Sequence, residues 1–284
     1  MNALEVKQLT KVFHATGIRR KKITALHDVS FSLEKGQVLG VMGPNGSGKS
    51  TLFKCILGFI RPNAGSIVVF ENAYSPAVLK TKLGFLYERV NFYPELTPVE
   101  LLEFYGKLYA IPRAVLKNRI EELLHLVDLW EFKDVKVRGF SKGMTQRVGI
   151  ASALIQDAEL LIFDEPATGL DLFGVAKIKE ILQKLREKGK TLIVSSHVLS
   201  HIQDLCDQYL VLFKGEVLGS GPWQNLVGSQ SAFQVDLKIQ DGSEIQKVLH
   251  LLESNGFSVA RSGFSPQDFE ENFLKLFEGK KHAD

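Results

Sequence analysis

Apolar positions along the chain change period several times, and each change marks an element. Leu4 to Leu9 alternates apolar and polar residues, the period of a half-buried strand. Ala25 to Leu33 alternates less cleanly and runs into a turn at Glu34-Lys35-Gly36, so the opening predicts a hairpin in an antiparallel layer. Val38 to Met42 and Leu160 to Phe163 are short apolar runs, the pattern of strands covered on both faces. Between them the pattern turns helical. Thr97-Pro98-Val99-Glu100 is a cap with proline at the first helical position, and Leu101, Phe104, Tyr105 and Leu108 follow at helical spacing. A second helix is predicted through Ile120, Leu123, Leu124 and Val127. From residue 148 onward strand and helix alternate again, which implies a parallel sheet with its ligand at the carboxyl ends of the strands.

A last module follows Gly219-Ser220-Gly221-Pro222. Ala232 to Ile239 reads as a strand. Ser243 to Gln246 is a capping box opening a helix with Ile245, Val248, Leu249 and Leu252 on one face. Ser265-Pro266-Gln267-Asp268 opens another, with Phe269, Phe273, Leu276 and Phe277 aligned. About sixty residues make a marginal independent core. The aromatic stripe is therefore expected to pack on the main body or on a second copy.

The chemistry is concentrated in two stretches. Gly43-Pro44-Asn45-Gly46-Ser47-Gly48-Lys49-Ser50-Thr51 fits the phosphate-binding pattern G-x-x-x-x-G-K-[ST], set between an apolar run and a helix-like stretch. Its glycines let backbone N–H groups point inward as an anion nest. Lys49 is expected on the β- and γ-phosphates and Ser50 on a magnesium ion. Downstream, the run Leu160–Phe163 ends in Asp164-Glu165. Core packing does not explain two carboxylates there, because burying an unpaired charge is costly. Asp164 is expected to hold magnesium, and Glu165 to polarise the attacking water.

Phe140-Ser141-Lys142-Gly143-Met144-Thr145-Gln146-Arg147 resembles the signature of ATP-binding-cassette (ABC) ATPases, whose usual form is Leu-Ser-Gly-Gly-Gln. The chain keeps Ser141 and Gly143 and departs at Phe140, Lys142 and Met144. Such departures look like those of cassettes serving drug and polysaccharide exporters. Other elements of the family follow in order. Gly169-Leu170-Asp171 resembles the loop that sets communication between paired subunits. His197, closing Leu192-Ile193-Val194-Ser195-Ser196-His197, resembles the switch histidine on the γ-phosphate. Phe13 matches the aromatic position that stacks on adenine. Glu88, in Gly84-Phe85-Leu86-Tyr87-Glu88, stands where the family usually carries a glutamine on magnesium and the attacking water. A carboxylate there can ligate magnesium, and it also adds negative charge beside Asp164 and Glu165. The resemblance covers roughly residues 3 to 222.

The resemblance implies an α/β fold. It has a P-loop ATPase core with a mostly parallel sheet, an N-terminal antiparallel β subdomain, and a helical subdomain inserted at about 89–139. These make up a nucleotide-binding domain over 1–222. Residues 223–284 form a small C-terminal α+β extension. The implied cofactors are ATP and Mg2+. The implied partners are a separate transmembrane permease subunit and a second ABC ATPase chain, since one chain cannot place Ser141 and Gly143 on its own γ-phosphate. The implied place is peripheral, on the cytoplasmic face of the cell membrane. Tyr87, Phe92 and Tyr93 are the expected anchors for a short helix of the permease, in the groove between the loop Tyr87–Pro94 and the helix beginning near Thr97.

Composition adds exclusions. Hydrophobic residues make up 45% and charged residues 24%, ordinary for a globular enzyme. The net charge of +3 is too small to imply nucleic-acid binding. Arg19-Arg20-Lys21-Lys22 could touch anionic headgroups but reads first as a solvated loop. Cys55 and Cys206 sit in apolar contexts and read as reduced, buried thiols. No run approaches ~20 apolar residues, and the first residues lack the basic-then-apolar pattern of a signal peptide. His197 and His201 have zinc spacing for a helix, but His197 closes a strand and no second ligand pair accompanies it. Two other readings remain. One is a non-transport cassette acting on nucleic acid or the ribosome, which the weak basic balance and single cassette disfavour. The other is a silent regulatory cassette, which the intact Lys49, Asp164, Glu165 and His197 disfavour.

Overall fold

The computed structural model describes residues 1–14, 22–70, 72–73, 81–88 and 91–226, together with positions 247, 250, 251 and 254. The chain divides into two compact units, Met1–Leu226 and Val227–Asp284. In the second, Lys247, His250, Leu251 and Ser254 are helical. The strand predicted at 232–239, the cap at 243–246 and the aromatic stripe at 269–277 lie outside the described residues, as does the basic stretch up to Lys21.

The first unit opens with β1 (Asn2–His14), β2 (Lys22–Glu34) and β3 (Val38–Met42), followed by α1 (Lys49–Ile56). Next come β4 (Ala64–Val69), β5 (Asn72–Ala73) and β6 (Leu83–Leu86). Helices α2 (Pro98–Leu108), α3 (Arg113–Leu126) and α4 (Lys142–Leu154) fill the stretch before β7 (Leu160–Phe163). Then α5 (Leu172–Glu187), β8 (Thr191–Ser196), β9 (Gln208–Phe213), β10 (Glu216–Gly221) and α6 (Trp223–Leu226) complete it. Trp223 meets Tyr209 edge to face, 5.4 Å between centroids.

Two sheets result. An antiparallel sheet has the order β2-β1-β4-β5, which is the predicted N-terminal layer. The larger sheet has the order β10-β9-β3-β8-β7-β6 and is parallel except for the β9–β10 pair. Strands β3 and β7 therefore flank β8. Val41 pairs with Ser195, Met42 with Ser196, and Phe163 with Val194, so the carboxyl ends of the three strands are level. Connections of this kind cross over through helices.

The unbroken apolar runs have a simple cause. Alternate side chains of a strand point to opposite faces. Leu160, Ile162 and Ile193 join one apolar cluster with Leu52, Phe53 and Ile56 of α1. Leu161, Phe163, Leu192 and Val194 join the other, with Val148 and Ile150 of α4 and Ile178 and Ile181 of α5. Both faces of the central strands are dry, so Leu160–Phe163 and Leu192–Val194 are apolar throughout. The helical insertion packs on the second cluster through Leu101, Leu116, Ile120 and Leu124. Its first helix carries a complete capping box. Thr97 N–H donates to Glu100 Oε2 at 2.8 Å, and Glu100 N–H donates to Thr97 Oγ1 at 3.2 Å.

An ion cluster ties the two sheets at the opposite end from the strand tips. Lys35, after β2, and Lys82, before β6, both reach the Glu159 carboxylate, before β7. Both ammonium groups also lie over the Phe70 ring, 5.9 and 5.8 Å from its centroid. The hydrogen bonds from Lys35 and Lys82 hold the Glu159 carboxyl down from 4.5 to about 2. A depressed carboxyl stabilises the fold above its unfolded value, and that contribution fades as pH falls from 4.5 toward 2. Glu159→Gln should therefore lower stability by about 1 kcal/mol near neutrality, with the two lysines left partnerless. Urea midpoints taken across the acidic range should show the gap between parent and variant closing below pH 4.5. A gap that stayed constant with pH would assign the loss to packing on Phe70 instead.

Candidate active site

Strand β3 ends at Met42, and the chain turns through Gly43–Gly48 into α1. Gly48 sits at φ 112°, a backbone region that disfavours any side chain. A Cβ on Gly48 would come 2.7 Å from the Ala25 carbonyl oxygen, and one on Gly43 would strike the Leu212 carbonyl oxygen. The loop is thus wedged between β2 and β9 by its lack of side chains. No side chain caps α1, and no acidic residue lies in its first turn. Its leading amides are left to an anion, which the helix dipole also favours. Ser47 is buried, and its hydroxyl has no hydrogen-bond partner. The Lys49 ammonium is buried too, donating to the Gly43 carbonyl at 2.6 Å and lying 3.5 Å from Glu165 Oε1.

Asp164 and Glu165 leave the end of β7 only 4% and 7% exposed. Asp164 Oδ2 accepts from the Ser50 hydroxyl at 3.0 Å, and Oδ1 from the Ser195 hydroxyl at 2.7 Å. Glu165 has φ 51°, left-handed for a residue with a full side chain. Its N–H donates to Ser195 Oγ at 2.8 Å. Its Oε2 accepts from the Thr168 hydroxyl at 2.7 Å and meets His197 Nδ1 at 2.8 Å. A carboxylate only accepts, so Nδ1 carries a proton in this contact. Glu165 Oε1 is buried without a hydrogen bond and faces Lys49.

The two carboxyls are pushed in opposite directions. Burial raises Asp164, and the nearby charges of Glu165 and Glu88 raise it further, against the hydrogen bonds from Ser195 and Ser50. Burial also works to raise Glu165, but the Thr168 hydroxyl, His197 and Lys49 outweigh it and hold the group below its ordinary range. Glu165 is thereby kept ionised, as a proton acceptor must be. Asp164 carries an unfavourable charge that a cation beside it would relieve.

The residues present fit magnesium and a nucleotide triphosphate. Ser50 and Asp164 supply two oxygen donors side by side, the small protein share that magnesium takes when phosphates and waters complete its shell. Among the described residues no group of three or more His, Cys, Asp or Glu could hold a metal by itself. His201 lies in a 3-10 turn, Leu199–His201, and not one helical turn beyond His197. Glu88 is exposed after β6 and reaches Asp164 through its charge.

Hydrogen bonds and an ion pair thus join Lys49, Ser50, Asp164, Glu165 and His197 in one network. The other predicted residues stand apart from it. Ser141 is the exposed N-cap of α4, accepting from Met144 N–H at 3.2 Å. The next residue, Lys142, lays its ammonium against Gly169. Asp171 caps α5, accepting from Gly174 N–H at 2.8 Å. Phe13 is 39% exposed at the end of β1, with the Lys11 ammonium 5.2 Å from its ring centroid.

Two network members escaped sequence reasoning. Ser195 and Thr168 touch the carboxylates directly; the only signal for Ser195 is a polar residue at the end of an apolar strand. The expected docking aromatics need one correction. Phe92 is half-buried against the helical core and meets Tyr105 edge to face, so it is packing. Tyr93 is 62% exposed beside the exposed Phe104, and Tyr87 stacks with the exposed Phe59.

Comparison with known proteins identifies the family. A family model described as "ABC transporter" matches residues 26–168. The ABC transporter ATP-binding protein NatA of Bacillus subtilis is 38% identical over 215 residues, 75% of this chain and 87% of NatA. The bacitracin transport ATP-binding protein BcrA of Enterococcus faecalis is 30% identical over 97% of this chain and 96% of its own. Among solved structures, the dimeric post-hydrolysis state of the ATP-binding cassette MJ0796 bound to ADP and Pi superposes with a TM-score of 0.69. It is 28% identical, covering 77% of this chain and 98% of that one. With its phosphate loop, its paired carboxylates and this range of relatives, the chain belongs to the ABC transporter ATP-binding family and is an ATPase.

Proposed function

We propose that the chain is the ATP-hydrolysing subunit of an exporter, working as a head-to-tail dimer beneath a separate membrane permease. The observation that carries the catalytic part is the network joining Lys49, Ser50, Asp164, Glu165 and His197 around the phosphate loop. Bound magnesium would neutralise phosphate charge and be held by Ser50 and Asp164. Glu165 takes the proton of the attacking water. His197, held by Glu165, keeps its exposed ring at the mouth of the site. Lys49 and the α1 amides hold the phosphates and the charge that develops on them.

Support for pairing comes from the placement of Ser141 and Lys142. They are exposed at a helix N-terminus and stand apart from the catalytic network, which supports a reading in which the ATP they contact is held by a second copy. Support for export comes from BcrA, named for bacitracin transport and aligned along almost the full chain. Among the described residues no helix is long and apolar enough to cross a membrane; in this reading the translocation path belongs to the permease partner. The exposed aromatics Tyr87, Tyr93, Phe59 and Phe104 form the docking surface for it, since aromatic anchors dominate the energy of small interfaces. Phe13 is the adenine platform in this reading.

Three outcomes test the proposal. Glu165→Gln should bind ATP normally but turn over more slowly by a factor on the order of 10²; parental turnover would remove Glu165 from its role. With ATP, that variant should elute as a dimer in sizing chromatography, and adding Ser141→Arg should return it to monomer. A dimer indifferent to nucleotide and to Ser141→Arg would place the contact elsewhere. Tyr93→Ser with Phe104→Ser should leave the ATPase rate of the isolated chain within about twofold, because neither touches the network, while losing most recovery with membranes that contain the permease. Undiminished membrane recovery would move the docking surface off this face.

A further inference from the structure

Ser195 has a role that its strand does not demand. It is fully buried on β8, after Leu192, Ile193 and Val194, where an apolar residue would pack as well. Its hydroxyl instead bridges two adjacent groups of β7. It donates to Asp164 Oδ1 at 2.7 Å and accepts the Glu165 N–H at 2.8 Å. A hydroxyl has one proton, so the bridge has one sense, with the proton toward the carboxylate and the lone pair toward the amide. With Oδ1 held in this way, Oδ2 is turned to Ser50 at 3.0 Å. The amide it holds belongs to Glu165, whose φ of 51° persists only where surroundings over-determine it. Thr168 and His197 hold the carboxylate end of Glu165; Ser195 holds the backbone end.

We propose that Ser195 is a positioning residue for ATP hydrolysis, orienting Asp164 toward magnesium and fixing the Glu165 backbone so that its carboxylate meets the attacking water. This rests on Asp164 and Glu165 having the roles given above. It goes beyond them by assigning a task to a side chain whose hydroxyl bonds to Asp164 and to the Glu165 backbone.

The test uses the full chain with Ser195→Ala, Ser195→Cys and Ser195→Thr. Cysteine keeps the shape but is a weak donor and acceptor, whereas threonine keeps the hydroxyl. Four quantities are measured: kcat, the magnesium concentration for half-maximal turnover, the magnesium dependence of equilibrium binding of a fluorescent ATP analogue, and melting temperature. Ser195→Ala and Ser195→Cys should lose about 10- to 100-fold in kcat, as for other groups that orient a metal ligand. Their magnesium requirement should rise several-fold, in turnover and in equilibrium binding alike. Nucleotide affinity without magnesium should stay within about twofold, and Ser195→Thr should recover most of the loss. If the alanine variant does not fold, the cysteine variant decides, since it leaves no cavity. Parental kcat and magnesium dependence in the cysteine variant would overturn the proposal. So would a loss shared equally by all three variants with magnesium dependence unchanged, which would show the hydroxyl to be packing alone. A parent chain that hydrolyses no ATP would instead overturn the assignment of Asp164 and Glu165, and this inference with it.

Discussion

Burying two neighbouring carboxylates at the end of β7 is the constraint on which the rest of the site depends. Ionised groups taken out of water are tolerated only when paired and hydrogen-bonded. Asp164 and Glu165 draw their partners from every side. Lys49 and Ser50 come from the first turn of α1, Ser195 and His197 from β8 and its end, and Thr168 from the turn after β7. These segments meet because β8 lies between β3 and β7 with the three strand ends level. The order of strands thus sets the chemistry. Sheet topology brings residue 49 beside residue 165, and no local feature of either stretch would do so.

The same burial produces opposite results at the two positions. Glu165 is surrounded by donors and a cation, Asp164 by donors and two further carboxylates. Environments that push paired acids apart separate their tasks. Glu165 is held toward its ionised form, which suits the proton acceptor of the proposed mechanism. Asp164 holds a charge that only a nearby cation makes comfortable, which is the property of a metal ligand. Its like-charged neighbours, including the exposed Glu88, sharpen that demand.

Much of this was legible in the sequence, for definite reasons. Strands buried on both faces leave unbroken apolar runs, so β3 and β7 announced themselves, and the residues that end them stood out as chemistry. The capping box at Thr97 and Glu100 is a local rule and was visible locally. What could not be read depends on sheet order. Ser195 looks like one polar residue in a strand until β8 is set against β7. Phe92 and Tyr93 are adjacent in sequence, yet one turns toward Tyr105 and the core while the other faces out beside Phe104. Nothing in composition separates them, because the difference lies in which neighbours each ring meets in the fold.

The arrangement also bears on the proposed pairing of two chains. On the phosphate-loop side Lys49, Asp164, Glu165 and His197 are partnered, and the loop is braced by β2 and β9. On the signature side Ser141 and Lys142 are exposed, and the cap serves only its own helix. An ATP held by the first side presents one face to a buried, pre-oriented wall and the other to solvent. Desolvating that second face is what makes electrostatic interactions there strong. A second chain bringing a helix N-terminus and a lysine would supply the missing wall, and its contacts would exist only while a phosphate lay between. Breaking the terminal phosphate bond removes a contact that favoured the closed pair over the open one. A ligand shifts an equilibrium only by such a difference between states. In the proposed dimer, the energy of hydrolysis would then appear as the separation of the two chains, a motion that the proposed membrane partner could use.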